Sequence, residues 1–410
     1  MTIAAGRYLS AGVSWDDAGP YLALRAPEGT SRQVRLDAGT VLSYRILPGD
    51  DGALRHCLGS VKVQDRYTRI AEPCPVHSAA ERGYQCGSCF ARDDWRLVHN
   101  VHRSGIAPPG LKLYLDQPHW LYIATFADGT SKVGTAADGR KRLRLVEQGA
   151  VAARYVARAD DGRVVRILED LVTAEAGLVQ AVRAGTKAAA LAQPLAEADL
   201  DRINSRHAAR VRELLTGLDI SGFAVEAETF HRPDQARAVL GASGVVAYPL
   251  DPGTGEHAMV IEAMVGAAAL VTVEGSDTPF LADLARLKGR RLHLGSYSTR
   301  LPALQTVLFS GPGRRPPARR PVSRPGVPRL YSGGMLNTPW ETGSALYRKL
   351  VVSALVVSGV GVLMVVFGAV GDSPLLMYIA APVIVVGMCL HLGGMVVRAR
   401  DARRRMKGTK

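Results

Sequence analysis

Three signatures that assign chemistry at sight are missing from this 410-residue chain. It has no phosphate-cradling lysine loop, no dinucleotide fingerprint and no serine-hydrolase elbow. No motif therefore argues for P-loop nucleotide hydrolysis, dinucleotide-dependent redox or a hydrolase of the nucleophile-elbow type. No internal repeat is visible, which sets aside solenoids and propellers. The stretch Met1 to Gly12 carries one base, Arg7, and no long apolar core. It does not read as a secretion signal. Acid is scarce towards the other end. Residues 311–410 hold three acids, Glu341, Asp372 and Asp401, against 15 Lys or Arg. That segment is net +12, leaving +2 of the chain's +14 for the other 310 residues. The basic balance thus describes a flank, not a basic nucleic-acid-binding body.

What is there begins with two apolar runs. Leu350 to Val370 is 21 residues without a charge and Pro374 to Val397 is 24. A helix needs about 20 apolar residues to cross a hydrocarbon core. The short link Gly371-Asp372-Ser373-Pro374 makes the runs antiparallel, so a transmembrane hairpin is expected over 349–397. Bases flank its outer ends while the link carries only Asp372. Basic flanks stay inside, which puts both termini in the cytoplasm and lipid among the partners. Small residues at Gly359, Gly361 and Gly393-Gly394 suit close helix packing. His391 within the second run reads as neutral and near the interface. The stretch 311–348 begins with interleaved Pro and Arg and reads as an extended linker, able also to lie on anionic lipid. Residues 398–410 form a basic cytoplasmic tail.

Ahead of the linker the pattern is mixed. Residues 1–72 read as short strands such as Tyr21–Arg25, Arg32–Leu36 and Val41–Arg45. Residues 73–117 are rich in Cys and His. Residues 118–195 look α/β: strands at Trp120–Phe126, Ser131–Gly134 and Ala152–Arg158, a basic helix, then a helix near Val164–Ala184. Residues 196–310 add a helix up to about Thr216 and return to strands at Gly244–Leu250, His257–Met264 and Ala267–Val273, with a helix-like Thr278–Leu287 before Arg291–Ser296. The fold class expected is α+β.

Of five cysteines, Cys389 sits in the second apolar run and reads as an inert apolar side chain. Cys57, Cys74, Cys86 and Cys89 fall within 33 residues. In a reducing compartment, metal binding is favoured over disulfides. Cys74-Pro75-Val76-His77 and Cys86-Gly87-Ser88-Cys89 are two pairs with two-residue gaps, each able to point two ligands at one ion. Together they suit tetrahedral zinc. Cys57, His99 and His102 compete as further ligands. His99-Asn100-Val101-His102 reads equally well as a partly exposed pair near a turn. A closed set of four would be structural, ordering residues 73–95.

Residues 120–169 carry a second pattern. Trp120-Leu121-Tyr122 begins one strand, Lys132-Val133-Gly134 lies on the next, Arg142 follows on a helix and Glu169 on a later one. This order resembles the core of the GIY-YIG nuclease superfamily. The chain over about residues 1–310 is also similar to an uncharacterised bacterial family that joins a cysteine cluster to such a segment. That family ends near a motif like Gly289-Arg290-Arg291 … Leu304–Phe309; the apolar hairpin lies outside the similarity. The resemblance implies that Tyr122 orients or deprotonates an attacking water, that Gly134 permits close backbone approach, and that Arg142 grips the phosphate. It implies that Glu169, or alternatively Glu175, binds Mg²⁺. Lys132, Arg140, Lys141 and Arg144 would line the substrate; the plainer reading of 140–144 is a solvated basic helix face. The chain departs from the pattern where Trp120 replaces the first glycine and Lys132 the second tyrosine. Leu145-Val146-Glu147-Gln148 offers no counterpart to the usual His or Tyr. Two functions follow as expectations, both tethered to the inner face of the cell membrane. One is a metal-dependent phosphodiesterase or nuclease acting on nucleic acid. The other is a non-catalytic module that binds nucleic acid or protein, or regulates a membrane complex.

Overall fold

The computed structural model describes residues 5–49, 55–302 and, further on, 353–354, 356–361, 363–365, 371, 378–390 and 393. The chain divides into two units, Met1–Leu308 and Phe309–Lys410.

Alternation builds the first strands. Of β1 (Gly6–Asp16), β2 (Gly19–Arg25), β3 (Ser31–Arg35) and β4 (Val41–Leu47), β2 and β4 bury every second residue, as with Leu22 and Leu24, or Leu42, Tyr44 and Ile46. One pleated face is thereby apolar. A hairpin, β5 (Ser60–Val63) and β6 (Arg69–Glu72), opens the cysteine-rich module. It continues through α1 (Gly87–Arg92), a 3₁₀ turn at Trp95–Leu97, α2 (Val101–Ser104) and α3 (Pro109–Leu115).

The second sheet comes next. It is built from β7 (His119–Thr125), β8 (Ser131–Ala137), β9 (Ala152–Ala159), and the short β10 (Phe223–Ala224) and β11 (Glu228–Thr229). β7 is central, antiparallel to both β8 and β9. Helix α4 (Lys141–Gln148) joins β8 to β9. Then come α5 (Gly162–Ala176), α6 (Ala184–Ala190) and α7 (Glu197–Thr216). Gly177, at φ 68°, ends α5 earlier than the apolar spacing through residue 184 suggests, since only a residue free to enter the left-handed region closes a helix this way cheaply. Leu121, Ile123 and Val156 of this sheet pack on Val165, Leu168 and Val172 of α5 and Ala208 and Val211 of α7.

After α8 (Asp234–Gly241) come β12 (Val246–Ala247), β13 (Glu256–Val265), β14 (Ala268–Val273), β15 (Ser276–Asp283) and β16 (Arg291–Leu294). They return to the first sheet, whose order is β12-β15-β14-β13-β4-β16-β1-β2-β3. The two β-rich regions at either end of the unit are therefore halves of one nine-stranded sheet. β4 pairs with both β13 and β16. Its apolar face shares a core with the other face of the second sheet, where Trp120, Tyr122 and Tyr155 meet residues such as Tyr44, Ile261 and Leu292. The helix-like 278–287 is strand through Asp283 and a 3₁₀ turn only over Leu284–Leu287. Pairing with β14 recruits it, and the Asp283 side chain accepts from Ala285 N–H to start the turn.

The expected membrane hairpin is overturned. No helix among the described residues is long and apolar enough to cross a membrane. The longest helical run described in the second unit, 378–390, spans roughly 20 Å at 1.5 Å per residue, short of a ~30 Å hydrocarbon core. The two transmembrane helices and the membrane placement expected from them fall with it. Within that unit, helical residues do approach closely. A Cβ at Gly361 would lie 2.6 Å from Ile384 Cγ1, whereas Gly359 and Gly393 face open space. Cys389 is exposed. The linker 311–348, the tail 398–410, His391 and Leu304–Phe309 lie outside the described residues.

Candidate metal centre and basic pocket

The β5–β6 hairpin explains how cysteines far apart in sequence meet. Ser60 pairs with Glu72 at its open end, so Cys57 just before β5 and Cys74 just after β6 emerge side by side. Cys86 caps α1 and Cys89 lies in its first turn. The four sulfurs lie within 4.8 Å of one another and all four side chains are buried. Cys74 and Cys86 are 4.0 Å apart, too far for a disulfide and close to the ~3.8 Å edge of a tetrahedron with Zn–S bonds of ~2.3 Å. These four residues can hold a metal ion such as zinc.

The surroundings suit thiolates. Cys57 Sγ accepts from the N–H groups of Cys86 at 3.2 Å and Gly59 at 3.3 Å. Ser78 Oγ lies 3.7 Å from Cys74 Sγ and Arg92 donates to Cys89 Sγ at 3.7 Å. Hydrogen bonds to sulfur favour the charged form. The Ser78 hydroxyl, then the Cys89 amide, bring Cys86 down to about 6. Burial pushes Cys89 up to about 12. One thiol of the metal-free cluster thus ionises ahead of its neighbours, and a cation would deprotonate the rest.

The expected C-x2-H pair is not used as a pair. His77 is exposed, adopts φ 47° and donates its backbone N–H to Cys74 O, closing the turn rather than supplying a ligand. Cys57 takes the fourth place. Of the competitors, His102 Nε2 lies 2.9 Å from Asp170 Oδ2, and His99 borders a separate pocket.

That pocket, about 170 Å³, lies where β8 ends and α4 and α5 begin, roofed by Trp95 and α3. Four guanidiniums reach it: Arg69 from β6, Arg140 and Arg144 from the start and middle of α4, and Arg166 from α5. Glu147 is its one carboxylate, held by Arg140 at 3.0 Å. Arg69 stacks on Trp95 and Tyr114, 4.5 and 5.1 Å from the ring centres. Among the described residues neither Arg69 nor Arg144 has a carboxylate partner. Positive charge concentrated in a walled cleft focuses the field on an incoming anion. The cations disfavour protonation nearby: desolvation leads, and Arg166, Arg144 and Lys132 add, in holding His99 at the rim below its usual value. Burial does the same to His119.

Of the residues expected to act together, Tyr122 and Lys132 both feel the charge of Glu169, with Arg144 and Arg166 beside them, whereas Arg142 and Glu175 lie elsewhere. Tyr122 is fully buried, its hydroxyl without a standard hydrogen bond; burial raises it, while the nearby Arg144 favours the phenolate. Gly134 is its direct cross-strand partner, and a Cβ there would lie 2.5 Å from Tyr122 Oη. The missing side chain makes room for the ring. Lys132 is buried over the same ring, 5.8 Å from its centre, and burial brings it down to about 8. Glu169 is 3% exposed and ion-paired with Arg166 on its own helix, and it does not line the pocket. Its burial raises it above the usual carboxylate range. Glu175 is exposed, with no place in the pocket lining.

Arg142 does not reach the pocket. It is exposed, 4.0 Å from Asp17 on the β1–β2 turn. Lys141 likewise turns away, onto the Trp120 ring at 4.1 Å and Glu228 at 2.6 Å. A helix advances about 100° per residue, so 140, 144 and 147 share a face that 141 and 142 do not. Arg144 holds the place expected for Arg142. Arg69 and Arg166 were not foreseen. The i, i+3 spacing of Arg166 and Glu169 was a legible signal that this carboxylate has a partner; nothing in the sequence tied Arg69 to the site. No protein-family model, curated protein or solved structure matches this chain.

Proposed function

We propose that the α/β layer binds the phosphodiester backbone of nucleic acid in the Arg69–Arg140–Arg144–Arg166 pocket without hydrolysing it, on a scaffold held by a structural zinc. The carrying observation is the contrast between guanidiniums and carboxylates. Arg69 and Arg144 face the pocket with no acid partner, whereas Glu169, the carboxylate a divalent ion would need, is sealed and neutralised by Arg166. Guanidiniums grip phosphate oxygens in a fork. Hydrolysis by the GIY-YIG route also needs a reachable carboxylate for Mg²⁺ and a phenol beside it, and both groups are buried here. The central β7 with Tyr122 and Gly134 paired on adjacent strands, followed by helices bearing Arg144 and Glu169, is consistent with a GIY-YIG-like core that keeps the frame and not the metal site.

Cys57, Cys74, Cys86 and Cys89 supply a closed set of four thiolates, so the zinc would offer cross-linking and no open position for catalysis. It would tie the base of the β5–β6 hairpin, and so Arg69, to α1.

The test uses the zinc-loaded full chain and a fluorescent single-stranded oligonucleotide, without added Mg²⁺ in one arm and with Mg²⁺ in the other. Binding without Mg²⁺ that weakens by about tenfold or more in Arg144→Ala is expected, with the oligonucleotide intact in both arms. Mg²⁺-dependent cleavage that Glu169→Gln abolishes would overturn the non-hydrolytic reading. Binding that Arg144→Ala leaves unchanged would remove the pocket from it.

A further inference from the structure

A second cavity, about 430 Å³, lies at the seam between the nine-stranded sheet and the cysteine module. Its floor is a row across four adjacent strands. Arg25 on β2 pairs with Leu9 on β1, Leu9 with Arg291 on β16, and Arg291 with Leu47 on β4. Cross-strand partners point to the same face, so the row reads Arg–Leu–Arg–Leu. Arg7, two residues before Leu9 on β1, adds a third guanidinium to that face. No carboxylate lines the cavity, and among the described residues none of the three arginines forms an ion pair with one. Arg25 and Arg291 flank Leu9 one strand away on either side, about 10 Å apart at the backbone. Arg25 donates to Leu58 O at 3.0 Å and lies near Cys57, and Arg291 approaches His77 O at 3.5 Å; their long side chains keep further N–H groups that can converge on one anion, and no carboxylate there neutralises them.

The motif Gly289-Arg290-Arg291, which the pocket above leaves unexplained, fixes this wall. Gly289 has φ 77°, and a Cβ on it would sit 3.0 Å from Arg55 Cγ and 3.2 Å from Tyr84 Cδ1. Its carbonyl accepts from His56 N–H at 2.7 Å and its own N–H donates to Ser10 O at 2.8 Å. The glycine thereby locks the cysteine module to β1 and delivers Arg291 at the start of β16. Cys57 and Cys74 form part of the opposite wall.

We propose that this seam is a second ligand site, distinct from the Arg144 pocket, that takes a small organic anion. The apolar body lies along Leu9 and Leu47, and the phosphate or carboxylate sits among Arg7, Arg25 and Arg291. The volume falls within the roughly 300–1,000 Å³ of small-molecule sites, and an apolar floor with few placed cations is their usual composition. Two of the cluster's four cysteines, Cys57 and Cys74, shape the wall, so the ligand would sit beside the candidate metal centre.

The test is calorimetric titration of the zinc-loaded full chain carrying Arg144→Ala, which silences the first pocket. Phenyl phosphate and benzoate are the probes, with inorganic phosphate and benzyl alcohol as half-ligands. Saturable binding of one equivalent of an aromatic anion is expected, about tenfold or more tighter than inorganic phosphate, with none detected for benzyl alcohol. The ranking of phenyl phosphate against benzoate identifies the head group. Arg291→Ala should weaken binding by about tenfold at unchanged metal content and melting temperature. Should that variant not fold, Arg7→Ala, at an exposed position, carries the test with a loss of about threefold or more. Absence of saturable binding overturns the proposal, as does wild-type affinity in the folded arginine variants.

Discussion

Replacing Arg144 by alanine gives the sharpest reading of the basic pocket, because the structure fixes how many charges are free to release counterions. Of four guanidiniums, Arg140 is held by Glu147 and Arg166 by Glu169, leaving Arg69 and Arg144. For a single strand, log K falls with log salt at about 0.7 per phosphate neutralised, so these two contribute a slope of about −1.4 and the variant about −0.7. Between 50 and 200 mM salt the pocket's contribution should fall by about sevenfold in the wild type and about threefold in the variant. The ratio of the two affinities therefore shrinks by about 2.6-fold across that range. The ratio is the quantity to use, since the 15 bases of residues 311–410 add a non-specific slope common to both proteins. Fluorescence anisotropy of a short labelled strand measures it. Arg142→Ala is the control: exposed beside Asp17 and away from the pocket, it should change affinity by less than about twofold. A salt-independent ratio would mean that Arg144 meets no phosphate. Equal losses in the Arg142 and Arg144 variants would mean that helix face plays no part, and the placement of the pocket would fall.

Other changes probe the same frame. Glu147→Gln frees Arg140, so it should tighten strand binding by about threefold to tenfold and steepen the salt slope by about 0.7. A slope unchanged in anisotropy titrations would place Arg140 outside the contact. Cys57→Ser should abolish stoichiometric zinc, measured by atomic emission, whereas His77→Ala should leave it near one per chain; the reverse pattern would restore the histidine as ligand. Gly134→Ala puts a methyl into the Tyr122 phenol and should cost about 1–3 kcal/mol in denaturant melts; a neutral result would mean that the ring is free to move. Lys132→Met tests the buried ammonium. Its folded value near 8 lies below the unfolded 10.5, so the folded protein gives up its proton first and stability rises with pH between those values. Below pH 8 the full penalty applies, with an upper estimate of about 3 kcal/mol. The variant should therefore be more stable than the wild type at pH 7, and the gap should close by about pH 10.5. A gap independent of pH would show that packing, not charge, sets it.

Local patterns announced most of the strands and the cysteine cluster, because both are written at short range. Alternation in Val41–Leu47 or a two-residue gap between Cys86 and Cys89 is visible without knowing what lies across from it. Long-range closure is different. Nothing near Val41 indicates that β4 pairs with Glu256–Val265 and Arg291–Leu294, and nothing near Thr278 indicates that a strand partner overrides a helical pattern. The fourth cysteine was visible only as one competitor among three. The hairpin register that carries Cys57 to Cys74 decides it, and His77, nearer in sequence, is spent on the turn. The apolar runs at 350–370 and 374–397 had the length and charge pattern of membrane spans. Hydropathy counts residues, however, while spanning needs one unbroken helix of that length, and the described helices fall short of it.

The displacement from Arg142 to Arg144 shows why a motif alone could not name the site. In sequence the two arginines differ by two positions inside one basic run, and either satisfies a strand–strand–helix order. On the helix they are about 200° apart, so one meets Asp17 and the other the pocket. Which of them reaches the pocket is set by Leu145 and Val146, the buried residues of α4. Those two dock the helix on the sheet and roll Arg140, Arg144 and Glu147 towards Arg69 and Arg166. Glu169, on α5, is buried with Arg166 of the same helix as its partner. A metal-dependent site in this frame would need that ion pair opened, at a cost of several kcal/mol for an uncompensated buried charge. The binding reading needs no such rearrangement: Arg69 and Arg144, which no carboxylate neutralises among the described residues, already line the cleft.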